Sequence, residues 1–246
     1  MIPARKMLAI WEGVFSSFDE AGTRIDGHTN SLWIDKSVDR LEAETRSSEL
    51  GGASLLAAVA GCTASSPTTV VDVGGNVGAT FLRVSRQLPG KALRYVVLEL
   101  DEFLQNPRVR SALLENVTYI SSLGQLEQLP VADIAYFGSV IQYFAEWKTQ
   151  LAEIVERSGA PKHLVFDDLM VGPQPSFVSN QTYYENQMSM WFLNEQEFIT
   201  AVESLGYSLT LRRSFSVPGK NYFPPTSLPT AFRIPFAQSA LFTRRD

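Results

Sequence analysis

Thr69-Val70-Val71-Asp72-Val73-Gly74-Gly75-Asn76-Val77-Gly78-Ala79-Thr80 is the stretch that decides the fold. A β-branched run leads into a glycine turn, and the turn leads into a helix start. Glycines let the backbone turn tightly and approach a ligand closely. The free N–H groups of the following helix favour an anionic group in front of them. The same turn also serves as a plain strand-to-helix connector in α/β proteins. Its spacing narrows the ligand. A nicotinamide fingerprint needs glycines at i, i+2 and i+5, and Gly74, Gly75 and Gly78 do not meet that spacing. The turn also lacks the Gly-Lys-Ser/Thr of a phosphate loop. Asp72, two positions before the first glycine, suits a ligand carrying an ammonium or sulfonium and repels a pyrophosphate.

Outward from the turn, short apolar runs alternate with helical segments. The runs are Thr69–Val73, Tyr95–Leu98, Val117–Ile120, Ile134–Phe137 and Leu164–Phe166. Helix-like stretches lie near 78–88, 101–115 and 144–158. This alternation predicts a parallel sheet covered on both faces. Farther on, Asn194 and Glu197 have the spacing of a capping box, with Leu193 and Phe198 placed as a hydrophobic staple. Phe198, Val202 and Leu205 make one helical face, and Gly206 stops the helix. Strands over Tyr207–Leu211 and Ala240–Thr243 then predict a closing hairpin at the sheet edge. Residues 1–65 carry no strong strand signal and read as turns and helices. Residues 172–193 read as a loop.

The chain has 246 residues, 45% hydrophobic and 19% charged, enough for one large core. Cys62 is the only cysteine, so an intrachain disulfide framework is excluded, and with it a zinc site built from several Cys and His ligands. The two histidines, His28 and His163, have no partner spacing. A formal net charge of -5 argues against a large nucleic-acid footprint. The run Met7–Ile10 is too short for a signal-peptide core. The apolar stretch Leu55–Cys62 falls far below the ~20 residues that span a bilayer. These features predict a soluble cytoplasmic protein with neither a membrane nor a nucleic-acid partner, and no metal site.

Ligands of such sheets bind beyond the carboxyl ends of the strands. Glu99 ends its strand about twenty positions beyond the glycine turn, where an acid accepts hydrogen bonds from ribose hydroxyls. Asp101 and Glu102 nearby read as surface acids. Ser139, Gln142 and Tyr143 follow the fourth run, and Asp167 and Asp168 end the fifth. Each also has a plain reading as a cap or a packing residue. Between 172 and 193 stand Tyr183, Tyr184, Glu185, Asn186, Met188, Met190 and Trp191. These read either as packing on the sheet or as a cation cage, an arrangement worth roughly 0.5–2 kcal/mol. Trp11, Phe15 and Phe18 could close the same pocket as a lid.

The segment D-V-G-G-N-V-G (72–78) resembles the glycine motif of class I S-adenosylmethionine (SAM) methyltransferases, with Asn76 where many members have glycine. Glu99 matches their ribose-binding acid. Ser121 and Ser122 fall where that family contacts adenine. The resemblance covers about three quarters of the chain. It implies a Rossmann-like α/β fold, with a seven-stranded, mostly parallel sheet and an antiparallel last strand, over residues 66–246. Residues 1–65 would form an N-terminal helical lid. The cofactor would be SAM, held by Asp72, Gly74, Gly75, Asn76, Gly78, Glu99, Ser121, Ser122, Ser139 and Phe15. Ser139, Gln142, Tyr143, Tyr184 and Asn186 would face the chemistry.

Three further segments resemble a narrower group. They are W-E-G-V-F-S-S-F (11–18), G-S-V-I-Q-Y-F (138–144) and Y-Y-E-N-Q-M-S-M-W-F (183–192) with L-G-Y (205–207). The group consists of small bacterial methyltransferase-like proteins of polysaccharide and natural-product gene neighbourhoods. It includes SAM cyclases that form azetidine-2-carboxylate. The resemblance therefore implies O- or N-methyl transfer to a small molecule. Its rivals are cyclisation of SAM to azetidine-2-carboxylate and methylthioadenosine, and a non-catalytic SAM-binding partner protein.

Overall fold

The computed structural model describes residues 11–22, 30–50, 52–183, 186–215 and 225–245, with no side chain described for Tyr183 or Asn186. In chain order the strands are β1 (Trp11–Phe15), β2 (Thr68–Val73), β3 (Leu93–Leu98), β4 (Val117–Ile120), β5 (Ile134–Gly138), β6 (His163–Leu169), β7 (Val171–Gly172), β8 (Phe177–Tyr183), β9 (Asn186–Asn194), β10 (Tyr207–Ser214) and β11 (Gln238–Arg244). The helices are α1 (Ser31–Arg46), α2 (Ser54–Cys62), α3 (Ala79–Gln87), α4 (Asp101–Gln105), α5 (Pro107–Arg110), α6 (Leu123–Leu126), α7 (Trp147–Arg157) and α8 (Glu195–Ser204).

The main sheet has seven strands in the order β10-β11-β6-β5-β2-β3-β4. From β4 to β6 every pairing is parallel. Only β11 runs antiparallel to its neighbours, as expected of the last strand. Each residue of β2 is buried, as a strand covered on both faces requires. Val71, Val73, Phe137 and Phe166 pack on one face with α7 and α8. Val70, Tyr95, Val97 and Tyr136 pack on the other with α2 and α3.

Local chemistry sets the helix ends. Gly78 enters α3 with φ +83°, a conformation that disfavours side chains. The helix expected over 101–115 is two short ones, because Asn106-Pro107 ends the first and caps the second. Asn194 caps α8 by accepting from the Glu197 N–H at 2.9 Å. The return half of the capping box is indirect. The Asn194 N–H donates to Ser176 Oγ at 2.8 Å, and that hydroxyl donates to Glu197.

Two expectations are corrected. Residues 1–65, expected to be turns and helices, also hold a strand, because Trp11–Phe15 pairs antiparallel with β8. The stretch 172–193 is mainly a hairpin rather than a loop. Its strands β8 and β9 join β1 and β7 in a separate four-stranded sheet. The physical reason lies in alternation. Met188, Met190 and Phe192 are buried at every second position, and Trp11 and Phe177 pack against Phe192. Trp11 Nε1 donates to Met190 Sδ at 3.3 Å, so both side chains serve this small core.

Helix α1 belongs to the main unit. Its Glu44 accepts from Arg83 and Arg86 of α3, and its Asp35 and Asp39 face Arg108 of α5 at 2.8 and 3.3 Å. Ile34 and Leu41 share a buried cluster with Val77 and Ala79 of the glycine turn and helix start. No helix among the described residues is long and apolar enough to cross a membrane.

Candidate functional site

The carboxyl ends of β3, β2, β5 and β6 lie side by side and carry the candidate residues. Gly74 to Gly78 turn out of β2. The Asn76 N–H donates to Glu99 Oε2 at 3.0 Å, and the Leu100 N–H donates to Glu99 Oε1 at 2.9 Å. Glu99 therefore clasps the glycine turn from the neighbouring strand. Each carboxylate oxygen keeps a second lone pair for a ligand hydroxyl. Burial raises the pKa of this half-buried acid, against the pull of its two backbone hydrogen bonds.

Asp72 lies beneath the turn. It is 2% exposed. Tyr95 Oη donates to its Oδ2 at 2.7 Å, and a Cβ on Gly75 would stand 2.6 Å from its Cγ. Glycine is thus required at 75 by the acid below it. Burial pushes the Asp72 pKa up to about 7; the Tyr95 hydrogen bond opposes the rise and the charge of Glu99 adds to it.

Beyond β5, Ser139 holds φ +59° and its N–H donates to the Asp167 carbonyl at 2.9 Å. Gln142 is 1% exposed. Its Nε2 donates to Ser139 Oγ at 3.2 Å and to the Asp168 carbonyl at 3.1 Å. Tyr143 Oη donates to Gln181 Oε1 of β8 at 2.7 Å. Trp191 Nε1 donates to the Ala145 carbonyl at 3.1 Å. The small sheet is thereby fastened to the segment that leaves β5.

The two acids of β6 divide. Asp167 is buried, and its oxygens accept from Ser239 Oγ at 2.5 Å and Tyr136 Oη at 3.2 Å. Burial raises its pKa. Asp168, half-buried, stands past it with φ +54°. Asn76 and Ser139, just beyond their strands, and Asp168, the last residue but one of β6, are non-glycine residues in left-handed backbone. Such conformations cost energy and gather at functional edges.

The structure brings together the glycine turn, Glu99, Ser139 and Gln142. Ser121 and Ser122 lie past β4, where their N–H groups donate to Gln125 Oε1 at 2.9 and 3.0 Å at the start of α6. Phe15 sits in β1 and packs near Phe18, Val178 and Trp191. Asn186 begins β9, and Tyr184 lies outside the described residues. Tyr95, Tyr136 and Gln181 were not anticipated. Tyr95 was legible in principle, since it pairs with Val70 and so shares a face with Asp72 two positions on.

No family profile and no curated protein matches the sequence. Solved structures match its fold. The Burkholderia thailandensis 1,6-didemethyltoxoflavin-N1-methyltransferase, with bound 1,6-didemethyltoxoflavin and S-adenosylhomocysteine, is 13% identical, with 88% of this chain and 82% of that chain covered at a TM-score of 0.52. The mitomycin 7-O-methyltransferase MmcR is 15% identical, with 94% and 64% covered and a TM-score of 0.52. A protein described as a pericyclic reaction enzyme is 14% identical, with 79% of this chain covered and a TM-score of 0.52; the match spans about half of that protein, 47%. With its sheet order and single antiparallel strand, the chain has the class I methyltransferase fold.

Proposed function

We propose that the chain is a SAM-utilising enzyme that transfers a methyl group to an O or N atom of a small molecule of natural-product or polysaccharide biosynthesis, in the cytoplasm. The clasp of Glu99 on the Asn76 N–H carries this reading. It fixes an acid with spare lone pairs beside a glycine turn that opens a helix, which suits a ribose next to an amino-acid chain. Two neighbours of the same fold, described with S-adenosylhomocysteine bound, support the choice of cofactor.

The residues fit such a ligand. Gly75 leaves the turn bare for close approach, and the N-terminus of α3 presents free N–H groups. Glu99 holds the ribose, and Ser121 stands toward the adenine. SAM supplies a carbon already activated by its sulfonium. The remaining task of the protein is to orient a nucleophile and exclude water. Ser139, Gln142 and Tyr143 line the approach, and the small sheet covers it through Tyr143 and Trp191. This reading also assigns Tyr184 and Asn186 to the chemistry.

A second reading is intramolecular cyclisation of SAM. It is compatible with the fold, which also hosts a protein described as a pericyclic reaction enzyme and so is not confined to methyl transfer. Incubation of purified protein with SAM alone separates the readings. Methylthioadenosine formed without any acceptor sinks methyl transfer. S-adenosylhomocysteine formed only with an acceptor sinks cyclisation. Tight SAM binding with no turnover across acceptors leaves a binding module.

A further inference from the structure

Gln142 is a primary amide enclosed where β5 and β6 end, and only half of its hydrogen-bonding capacity is used. Its Nε2 is saturated, one hydrogen toward Ser139 Oγ and one toward the Asp168 carbonyl. The Asp168 carbonyl fixes which end of the amide is nitrogen, because a carbonyl oxygen can face only a donor. Its Oε1 is buried and finds no hydrogen-bond partner among the described residues. Folded proteins leave few buried acceptors in that state, because each carries its desolvation penalty uncompensated.

An amide locked in this way presents only an acceptor. It selects a donor and rejects a carboxylate or a thiolate. The surrounding charge narrows the donor further. The stretches at the carboxyl ends of β2, β3, β5 and β6 (74–78, 99–101, 139–143 and 168–170) include Glu99, Asp101 and Asp168 and contain no lysine or arginine, while Arg213 of β10 acts on Asp167. A negative rim of this kind favours a cation over a neutral hydroxyl.

We propose that Gln142 Oε1 is the acceptor for an N–H of an ammonium group on the bound small molecule, which makes Gln142 a specificity residue for amines. The inference rests on the SAM reading and deepens it. The ammonium belongs either to the amino-acid chain of the cofactor or to a second molecule beside it. Ser139 and the Asp168 carbonyl act as positioning groups that hold the amide in one orientation.

The test is calorimetry on the full chain with two ligand pairs. The first pair is S-adenosylhomocysteine and its deaminated analogue, S-adenosyl-4-thiobutyrate. The second is 1-butylamine and 1-butanol, titrated into protein saturated with S-adenosylhomocysteine. Wild type is expected to favour the amine of at least one pair by about tenfold or more, the scale of a hydrogen bond to a charged group. Gln142→Leu is expected to abolish that preference. Loss in the first pair assigns the ammonium to the cofactor. Loss confined to the second assigns it to another molecule. If a folded Gln142→Leu protein, checked by thermal melting, keeps both preferences, or if wild type has neither, the proposal is overturned. Should the leucine variant not fold, Gln142→Met carries the same comparison. If S-adenosylhomocysteine does not bind wild type at all, the cofactor reading falls and takes this proposal with it.

Discussion

Tyr95 donates its phenolic hydrogen to Asp72 across 2.7 Å, directly beneath the glycine turn. The pair lies in the hydrophobic interior between the sheet and helices α2 and α3. An acid in that position stays neutral over most of the acidic range, and its charge is tolerated only at a cost.

That cost has a definite sign. The pKa of Asp72 rises from an ordinary 3.8 to about 7 on folding. The folded state therefore binds the proton more tightly than the unfolded chain. Its contribution to stability is complete below pH 3.8 and is lost as pH climbs toward about 7. Asp72→Asn removes the titration and keeps an acceptor for Tyr95. The variant is expected to gain on wild type as pH goes from 5 to 8, by on the order of 3 kcal/mol at most. Denaturant melts at both pH values check this; a constant difference between the two proteins defeats it.

Tyr95→Phe acts in the opposite direction. It removes the one hydrogen bond that favours the charged carboxylate. At pH 8 the variant should lose about 1.5–3 kcal/mol, the range for a hydrogen bond to a charged group. At pH 5, where Asp72 is mostly protonated, the loss should be smaller. Equal losses at both pH values would show that Asp72 does not titrate between them.

Glu99→Ala is expected to weaken SAM binding more than tenfold, since hydrogen bonds to a charged group are worth ~1.5–3 kcal/mol. It also frees the Asn76 N–H from its acceptor. Isothermal calorimetry reads the affinity directly. An unchanged dissociation constant would put the cofactor elsewhere.

Gly75→Ala tests the close approach of turn and acid. The added methyl would meet Asp72 Cγ at 2.6 Å and Val97 Cγ2 at 3.0 Å. Overpacking of this kind costs about 1–3 kcal/mol. A variant as stable as wild type in urea would mean that Asp72 moves freely.

Tyr143→Phe cuts the bond to Gln181 that fastens β8 to the turn after β5. Amide exchange in 177–183 should quicken while the main sheet stays protected. Global stability should fall by about 0.5–1.5 kcal/mol. Unchanged exchange in β8 would assign the fastening to Trp191 alone.

Much of the fold was legible in the sequence because parallel strands buried on both faces leave continuous β-branched runs. Thr69–Val73 and Ile134–Phe137 stand where those runs put them. The antiparallel place of β11 followed from family resemblance, not from its residues. The hairpin was missed because its tyrosines, amides and methionines hide the alternation of Met188, Met190 and Phe192 under a polar surface pattern. Strand β1 was missed for a different reason. Its Trp11–Phe15 has no partner nearby in sequence and pairs with β8 more than 160 positions away. At the candidate site, Glu99 and the glycine turn were readable from spacing. The amide lock of Gln142 was not, since it depends on a carbonyl at Asp168 that only the adjacent strand supplies.

Asn76, Ser139 and Asp168 mark three adjacent strand ends with backbone that glycine would adopt at less cost. Selection for thermal endurance alone would replace them with glycine, each exchange relieving up to about 1 kcal/mol. Selection for turnover would keep them. Enrichment data from the two regimes should therefore diverge at positions 76, 139 and 168 and agree in the surrounding core, which would trace the working edge of the sheet without a ligand in hand.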